Sequence, residues 1–211
     1  MSSPTTKRSA PPSPRRRLAR DDRHHQLLEV SWRLIRTEGT DALTLGRLAE
    51  QAGVTKPLVY DHFGTRDGLL VALYQDYDVR QTAVMDSALA ASKSTLKDKA
   101  RVIASSYVDC VLLQGREMPG VLAALAGSPD LEKIKRDYHI AFIEKCRTIL
   151  APFAGANGIA SAALWAMLGA AEALSYAAAL KEVTPTQAKD ELFATIVAMA
   201  MRSRSPRTSE C

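Results

Sequence analysis

The chain has 211 residues, 46% of them hydrophobic and 24% charged, with 11 Gly and 10 Pro, which is enough apolar material for a buried core and excludes collagen-like, low-complexity and wholly disordered chains. The net charge of +5 sits at the ends: residues 1–20 hold Lys7, Arg8, Arg15, Arg16, Arg17 and Arg20 with no acidic residue, and residues 201–211 hold Arg202, Arg204 and Arg207 against Glu210. The stretch between them is mildly acidic, so a basic binding surface on the folded body has to be local.

Residues 1–20 carry four Pro, four Ser and the six cations with almost nothing to bury, and read as a disordered basic arm. Asp21 or Asp22 is placed to cap a helix over 22–38, in which Leu27, Leu28, Ser31, Leu34 and Ile35 recur at helical spacing beside Trp32, and Gly39 stops it. Thr44 then caps a short run with Leu45, Leu48, Ala49 and Ala52, which Gly53 ends. Thr55 caps a second run, 56–62, with Pro57 in its first turn. Two short helices joined by about three residues make a helix-turn-helix. In the second of them Leu58, Val59 and Phe63 are spaced to face inward, and Lys56, Tyr60 and His62 to face out.

Gly64 ends that run, and Thr65 opens a helix of roughly 25 residues from Arg66, carried by Leu69, Leu70, Leu73, Tyr74, Tyr77, Val84, Met85 and Leu89. Ser94 or Thr95 opens a helix to about 114, a half-length helix follows over 118–126, and Ser128, Pro129 and Asp130 open one to about 150. Two long helices are expected over 158–181 and 185–202, the second begun by a capping box of Thr184 and Gln187 with Pro185 at its first position. The expected fold class is all-α, about nine helices, with no strand and no internal repeat.

The stretch from Thr44 to Leu69, TLGRLAEQAGVTKPLVYDHFGTRDGL, resembles the DNA-binding signature of the tetracycline repressor (TetR) family. The resemblance is close over these 26 or so residues, extends in outline over 22–75, and beyond that consists only in a run of helices of the right number and length. Physical chemistry points the same way: helix N-termini offer free backbone N–H groups and a positive dipole end to phosphate, and Thr44, Thr55 and Thr65 begin three successive helices. The resemblance implies that Lys56, Tyr60, His62 and Arg66 contact backbone phosphates and that Thr55, Pro57 and Leu58 approach bases, Leu58 against a thymine methyl. Arg47 is a further candidate for base or phosphate. The family often has a small residue where this chain has Pro57. The arm at 1–20 is a second candidate DNA contact, in a minor groove or by counterion release.

In the middle helices Met85, Tyr107, Cys110, Met118, His139, Phe142, Cys146, Trp165 and Glu172 combine apolar and polarisable groups with a few polar handles, and are candidates to line a small-molecule pocket. In the last two helices Ala163, Ala166, Ala170, Ala173 and Ala177, with Ala194, Ala198 and Met201, form small faces suited to close helix packing. In the resembled family such helices pair with their two-fold mates, which implies a homodimer on a palindromic double-stranded DNA operator, released by a small-molecule effector. The expected division is then an arm at 1–20, a helix-turn-helix DNA-binding domain at 21–67, a ligand-binding and dimerisation domain at 68–202, and a tail at 203–211.

No catalytic constellation, phosphate loop or metal-ligand spacing is visible, so no enzyme activity, cofactor or metal is expected. The three cysteines, Cys110, Cys146 and Cys211, are too far apart for a disulfide framework or a zinc knuckle and suit a reducing cytoplasm. The basic N-terminus leads into prolines rather than an apolar signal segment. The most apolar stretch, 158–180, is Ala-rich and holds Glu172 mid-span, which argues against a membrane partner. The alternative to a DNA-binding regulator is a helical protein-interaction module without specific DNA binding.

Overall fold

The computed structural model describes residues 19–204, and among them the only regular elements are helices. In chain order these are α1 (Arg20–Glu38), α2 (Leu45–Ala52), α3 (Lys56–Phe63), α4 (Arg66–Ala91), α5 (Leu96–Glu117), α6 (Pro119–Leu125), α7 (Pro129–Leu150), a 3₁₀ turn (Ala151–Phe153), α8 (Ser161–Ala179) and α9 (Pro185–Arg202). The basic arm lies outside the described residues, apart from its last two positions, as does the tail beyond 204.

Local chemistry sets most boundaries. The Thr44 hydroxyl accepts from the Arg47 N–H at 3.1 Å, Thr65 from Gly68 at 3.0 Å and Thr95 from Asp98 at 3.1 Å, each a side-chain cap on an otherwise orphan donor. Thr184 and Gln187 close the capping box reciprocally. Gly53 ends α2 in the left-handed conformation at φ 64°, donating back to the carbonyls of Ala49 and Glu50. Two expected caps differ. Helix α1 starts two residues early with Ala19 at its cap, so Asp21 and Asp22 lie inside the first turn, where their charge favours the dipole end. Thr55 makes no side-chain cap bond to α3.

The helices enclose two cores. In the first, α1, α2, α3 and the N-terminal half of α4 pack Leu27, Leu34, Leu48, Val59, Leu70 and Tyr77 together with Met118, Val121 and Leu125 of the α6 region and Leu131 of α7. The second gathers Ile103, Ala104, Val108, Cys146, Leu164, Leu168, Leu192 and Ile196 where α5 is wrapped by α7, α8 and α9. The helix-turn-helix is therefore clamped by elements well beyond residue 67. A polar tie reinforces this: Trp32 Nε1 on α1 donates to the Asp76 carboxylate on α4 at 2.7 Å, and Arg80 bonds the same carboxylate at 3.0 Å while lying over the indole at 5.1 Å.

Helix α8, with a mean hydropathy of 1.3, is long and apolar enough by composition to cross a bilayer. Its Leu164, Met167, Leu168, Ala171 and Ala178 are buried against the second core, and Glu172 meets His139 of α7 at mid-length, as expected of a bundle helix.

Candidate nucleic-acid interface

Val59 is fully buried and Phe63 nearly so, and these two anchors fix the rotation of α3. Four-residue spacing then puts Lys56 and Tyr60 on one outward face, with Tyr60 53% exposed, and Thr55 and Pro57 exposed at the helix start beside them. Leu58 is half-buried on the flank. The Lys56 stem runs back over Gly46, its Cε 3.6 Å from where a Cβ on Gly46 would lie, which brings its ammonium to the start of α2. The Lys56 ammonium thus lies beside the first N–H groups of α2, with Thr55 just before it and Tyr60 one turn after it on the outward face of α3, an arrangement of donors suited to a phosphate and the groove beside it.

The remaining candidates are placed differently. Arg47 is held by Glu38 at 2.9 Å and Glu50 at 3.5 Å; the hydrogen bond and charge of Glu38 raise its guanidinium further above its usual range. Its positive charge is already paired in this structure. Arg66 donates from Nε to the Leu43 carbonyl and from an Nη to the Thr40 carbonyl, both at 2.9 Å, so that the first residue of α4 staples the loop between α1 and α2. His62, expected to face outward, is half-buried with its ring 5.7 Å from that of His24 on α1 and 6.0 Å from Phe63. Burial first, then His62 and His25, lower the pKa of His24, so its neutral form is favoured in this contact. The partners Glu38, Thr40, Leu43 and His24 lie outside the helix of the residue they hold, so spacing along one helix carried no signal for them; the Arg47–Glu50 pair, three residues apart on α2, is the exception.

The nine pocket candidates do not come together. Met118 is wholly buried in the first core, beside α1 and α4, and Cys146 and Met85 belong to the second. Trp165 is 47% exposed on the outside of α8. His139 and Glu172 meet across α7 and α8 at 3.2 Å near the surface. Tyr107, Cys110 and Phe142 lie half-buried on α5 and α7, Tyr107 and Phe142 with ring centroids 5.0 Å apart. Burial pushes the Cys110 thiol up to about 11 and that of Cys146 up to about 12, so neither is a reactive thiolate at neutral pH. An open groove of about 310 Å³ lies elsewhere, between α4 and α5, lined by Gln81, Val84, Arg101, Ser105 and Asp109 among others.

Among the packing candidates, Ala166, Ala173, Ala194, Ala198 and Met201 are exposed, and Ala163, Ala170 and Ala177 half-buried. The outward side of α8 is apolar apart from Glu172 at its middle. Trp165, Tyr176 at 66% exposure and Leu180 at 51% stand on it between the alanines and Gly169. Sequence reading singled out the small residues but not Tyr176 or Leu180, which lie on the same face.

Comparison with known proteins follows this geometry. Residues 27–73, which run from α1 into α4, match the family profile of bacterial regulatory proteins, tetR family. Over 59 residues, 28% of this chain, the sequence is 37% identical to the HTH-type transcriptional activator FasR of Mycolicibacterium smegmatis, and the match spans about a quarter (27%) of that regulator's length. Two crystal structures share the whole fold. SCO4454, a TetR-family transcriptional regulator from Streptomyces coelicolor, superposes with a TM-score of 0.58 at 18% identity, over 88% of this chain and 97% of that one. The fatty acid degradation regulator FadR from Bacillus halodurans gives 0.60 at 13% identity, over 83% and 94%. At such identities the likeness establishes the all-helical architecture, while the profile and the FasR match bear on the helix-turn-helix itself. Residues 27–73 thus carry the helix-turn-helix of the tetR family of bacterial regulatory proteins, on a chain whose all-helical fold is shared with regulators of that family.

Proposed function

We propose that the protein is a cytoplasmic, homodimeric, sequence-specific DNA-binding regulator that reads a palindromic operator through α3 and lets go when a small molecule binds its helical body. In this reading 21–67 is the DNA-binding unit, 68–202 the effector and dimerisation unit, and the segments at 1–20 and 203–211 are accessory. The observation that carries it is the outward face of α3, where Thr55, Lys56 and Tyr60 are exposed at a helix N-terminus while Val59 and Phe63 anchor the other side. The protein acts as a repressor where its operator overlaps the promoter. FasR is an activator, so the sign follows from operator position and not from the fold.

Dimerisation is supported by the apolar outer face of α8, whose Trp165, Tyr176 and Leu180 are large side chains left in water by one copy. Replacing Trp165 and Tyr176 by Glu should convert a dimer in sedimentation velocity to a monomer with an unchanged helical spectrum. A parent that sediments as a monomer would remove this element of the proposal.

The function is tested by selecting duplexes from a random library with the parent and the Lys56→Ala, Tyr60→Phe double variant. The parent should enrich a palindrome whose half-sites lie about one helical turn apart, roughly 34–36 Å. The variant should lose about tenfold or more in affinity for it, since each group lost is worth about 1 kcal/mol or more, while keeping its melting temperature because both side chains are exposed. Equal enrichment by both proteins, or none, would favour the helical interaction module.

A further inference from the structure

The two cores meet on α4 between Tyr77 and Met85, and the first residue of that stretch is Asp78. Two side-chain ties bracket it. Tyr74, one turn earlier, stacks on Tyr138 of α7 with ring centroids 5.9 Å apart, and Asp86, two turns later, receives the Lys145 ammonium of α7 at 2.7 Å. Between these ties the helices run alongside each other, spanned by long side chains rather than packed backbone to backbone. The Tyr107 and Phe142 ring pair closes the same stretch from α5 and α7. Asp78 is half-buried there and makes no hydrogen bond or ion pair among the described residues; the cation that acts on it, Lys145, is engaged by Asp86.

A half-buried carboxylate without a hydrogen bond or ion pair is costly, because burial disfavours its charge and the Lys145 ammonium, held by Asp86, offsets this only in part. Consistently, burial raises the Asp78 carboxyl above the usual range against the opposing pull of Lys145, and its negative charge in turn helps to push Cys110 up to about 11 and Tyr138 up to about 12, after burial itself. Its charge acts on the rings of Tyr74 and Tyr138 and on the neutral Cys110 thiol. Aromatic faces and a carboxylate compensated only in part are what a positively charged organic molecule needs: the rings accept the cation over their faces and the carboxylate neutralises it.

We propose that Asp78, Tyr74, Tyr107, Cys110, Tyr138 and Phe142 form a binding site for an organic cation, an amine or ammonium on an apolar body. As the effector site of a regulator it rests on the function proposed above; as a binding site it does not. The cation would tie α4, which begins at the DNA-binding unit, to α7, and so act on the helix that carries Arg66.

The test uses the full chain and three probes with one carbon skeleton: 4-phenylbutylamine, 4-phenylbutanol and 4-phenylbutyrate, cationic, neutral and anionic at pH 7. Calorimetric titration without DNA should give the amine at least tenfold tighter than the other two. Asp78→Asn should reduce that preference to within about twofold of the alcohol and leave the melting temperature equal to or above that of the parent, because it removes a charge compensated only in part. The proposal is overturned if no probe binds, if the butyrate equals the amine, if the preference survives in Asp78→Asn, or if that variant melts lower than the parent. Because DNA is absent, failure here leaves the operator reading intact; conversely, failed DNA selection with amine binding intact removes only the effector role.

Discussion

Replacing Arg66 by Ala is expected to lower stability by about 2–3 kcal/mol, read as a fall in melting temperature of roughly 5–10 °C for a chain of this size. The guanidinium makes two charge-assisted bonds of 2.9 Å, to the carbonyls of Leu43 and Thr40, and both acceptors lose their partner in the variant. Arg66→Lys, which replaces a planar fork by a point donor, should recover about half of the loss. DNA affinity should fall too, since the α1–α2 loop orients α2, against which α3 packs. The salt dependence separates two roles for this residue. A phosphate contact, as the family resemblance implies, would reduce the slope of log affinity against log salt by about one when removed; a staple that only positions the loop leaves the slope unchanged. The geometry favours the unchanged slope, and a reduced one would return Arg66 to the contact list.

Gly120→Ala should destabilise the protein although Ala is the better helix former by about 1 kcal/mol. A Cβ at this position on α6 would fall 2.2 Å from Thr40 Oγ1 and 2.8 Å from Thr40 Cβ, so something must move. Thr40 cannot easily yield, being 8% exposed with its carbonyl held by Arg66. Overpacking of this kind costs about 1–3 kcal/mol, which outweighs the propensity gain. Thr40→Gly in the same chain removes both overlapping atoms and should restore most of what Gly120→Ala lost, as measured by urea unfolding of the single and double variants. Equal loss with and without Thr40→Gly would show that the helix start itself, rather than this contact, needs glycine. The pair matters beyond stability because it is where α6 of the body touches the loop that leads into the helix-turn-helix.

What could be read from the chain and what could not divide along the range of the interaction. Helix ends at Thr44, Gly53, Thr65 and Thr184 were legible because a cap is a contact over three or four residues, written in consecutive letters. The outward placement of Lys56 and Tyr60 followed from helical periodicity about buried Val59 and Phe63. His62 did not follow, because its environment is set by His24 on a neighbouring helix, and Arg47 and Arg66 looked like free cations only until Glu38 and two carbonyls were brought beside them. The pocket candidates are dispersed over both cores and the surface for the same reason. An apolar residue on a helix is core or cavity according to what packs opposite, and Met118 turned out to face α1 and α4 while Trp165 faces water.

The sequence by itself therefore determined the helices, most of their caps, the helix-turn-helix and the donor face of α3, since propensity, periodicity and capping are local and their signals lie within one or two turns. Tertiary structure alone decided that α6 and the start of α7 complete the first core, that Arg66 staples a loop, that α8 keeps an apolar face in water, and that Asp78 stands unpaired among aromatic rings. Each of these depends on which distant side chain occupies the opposite side of a contact, and that is set by how the helices pack.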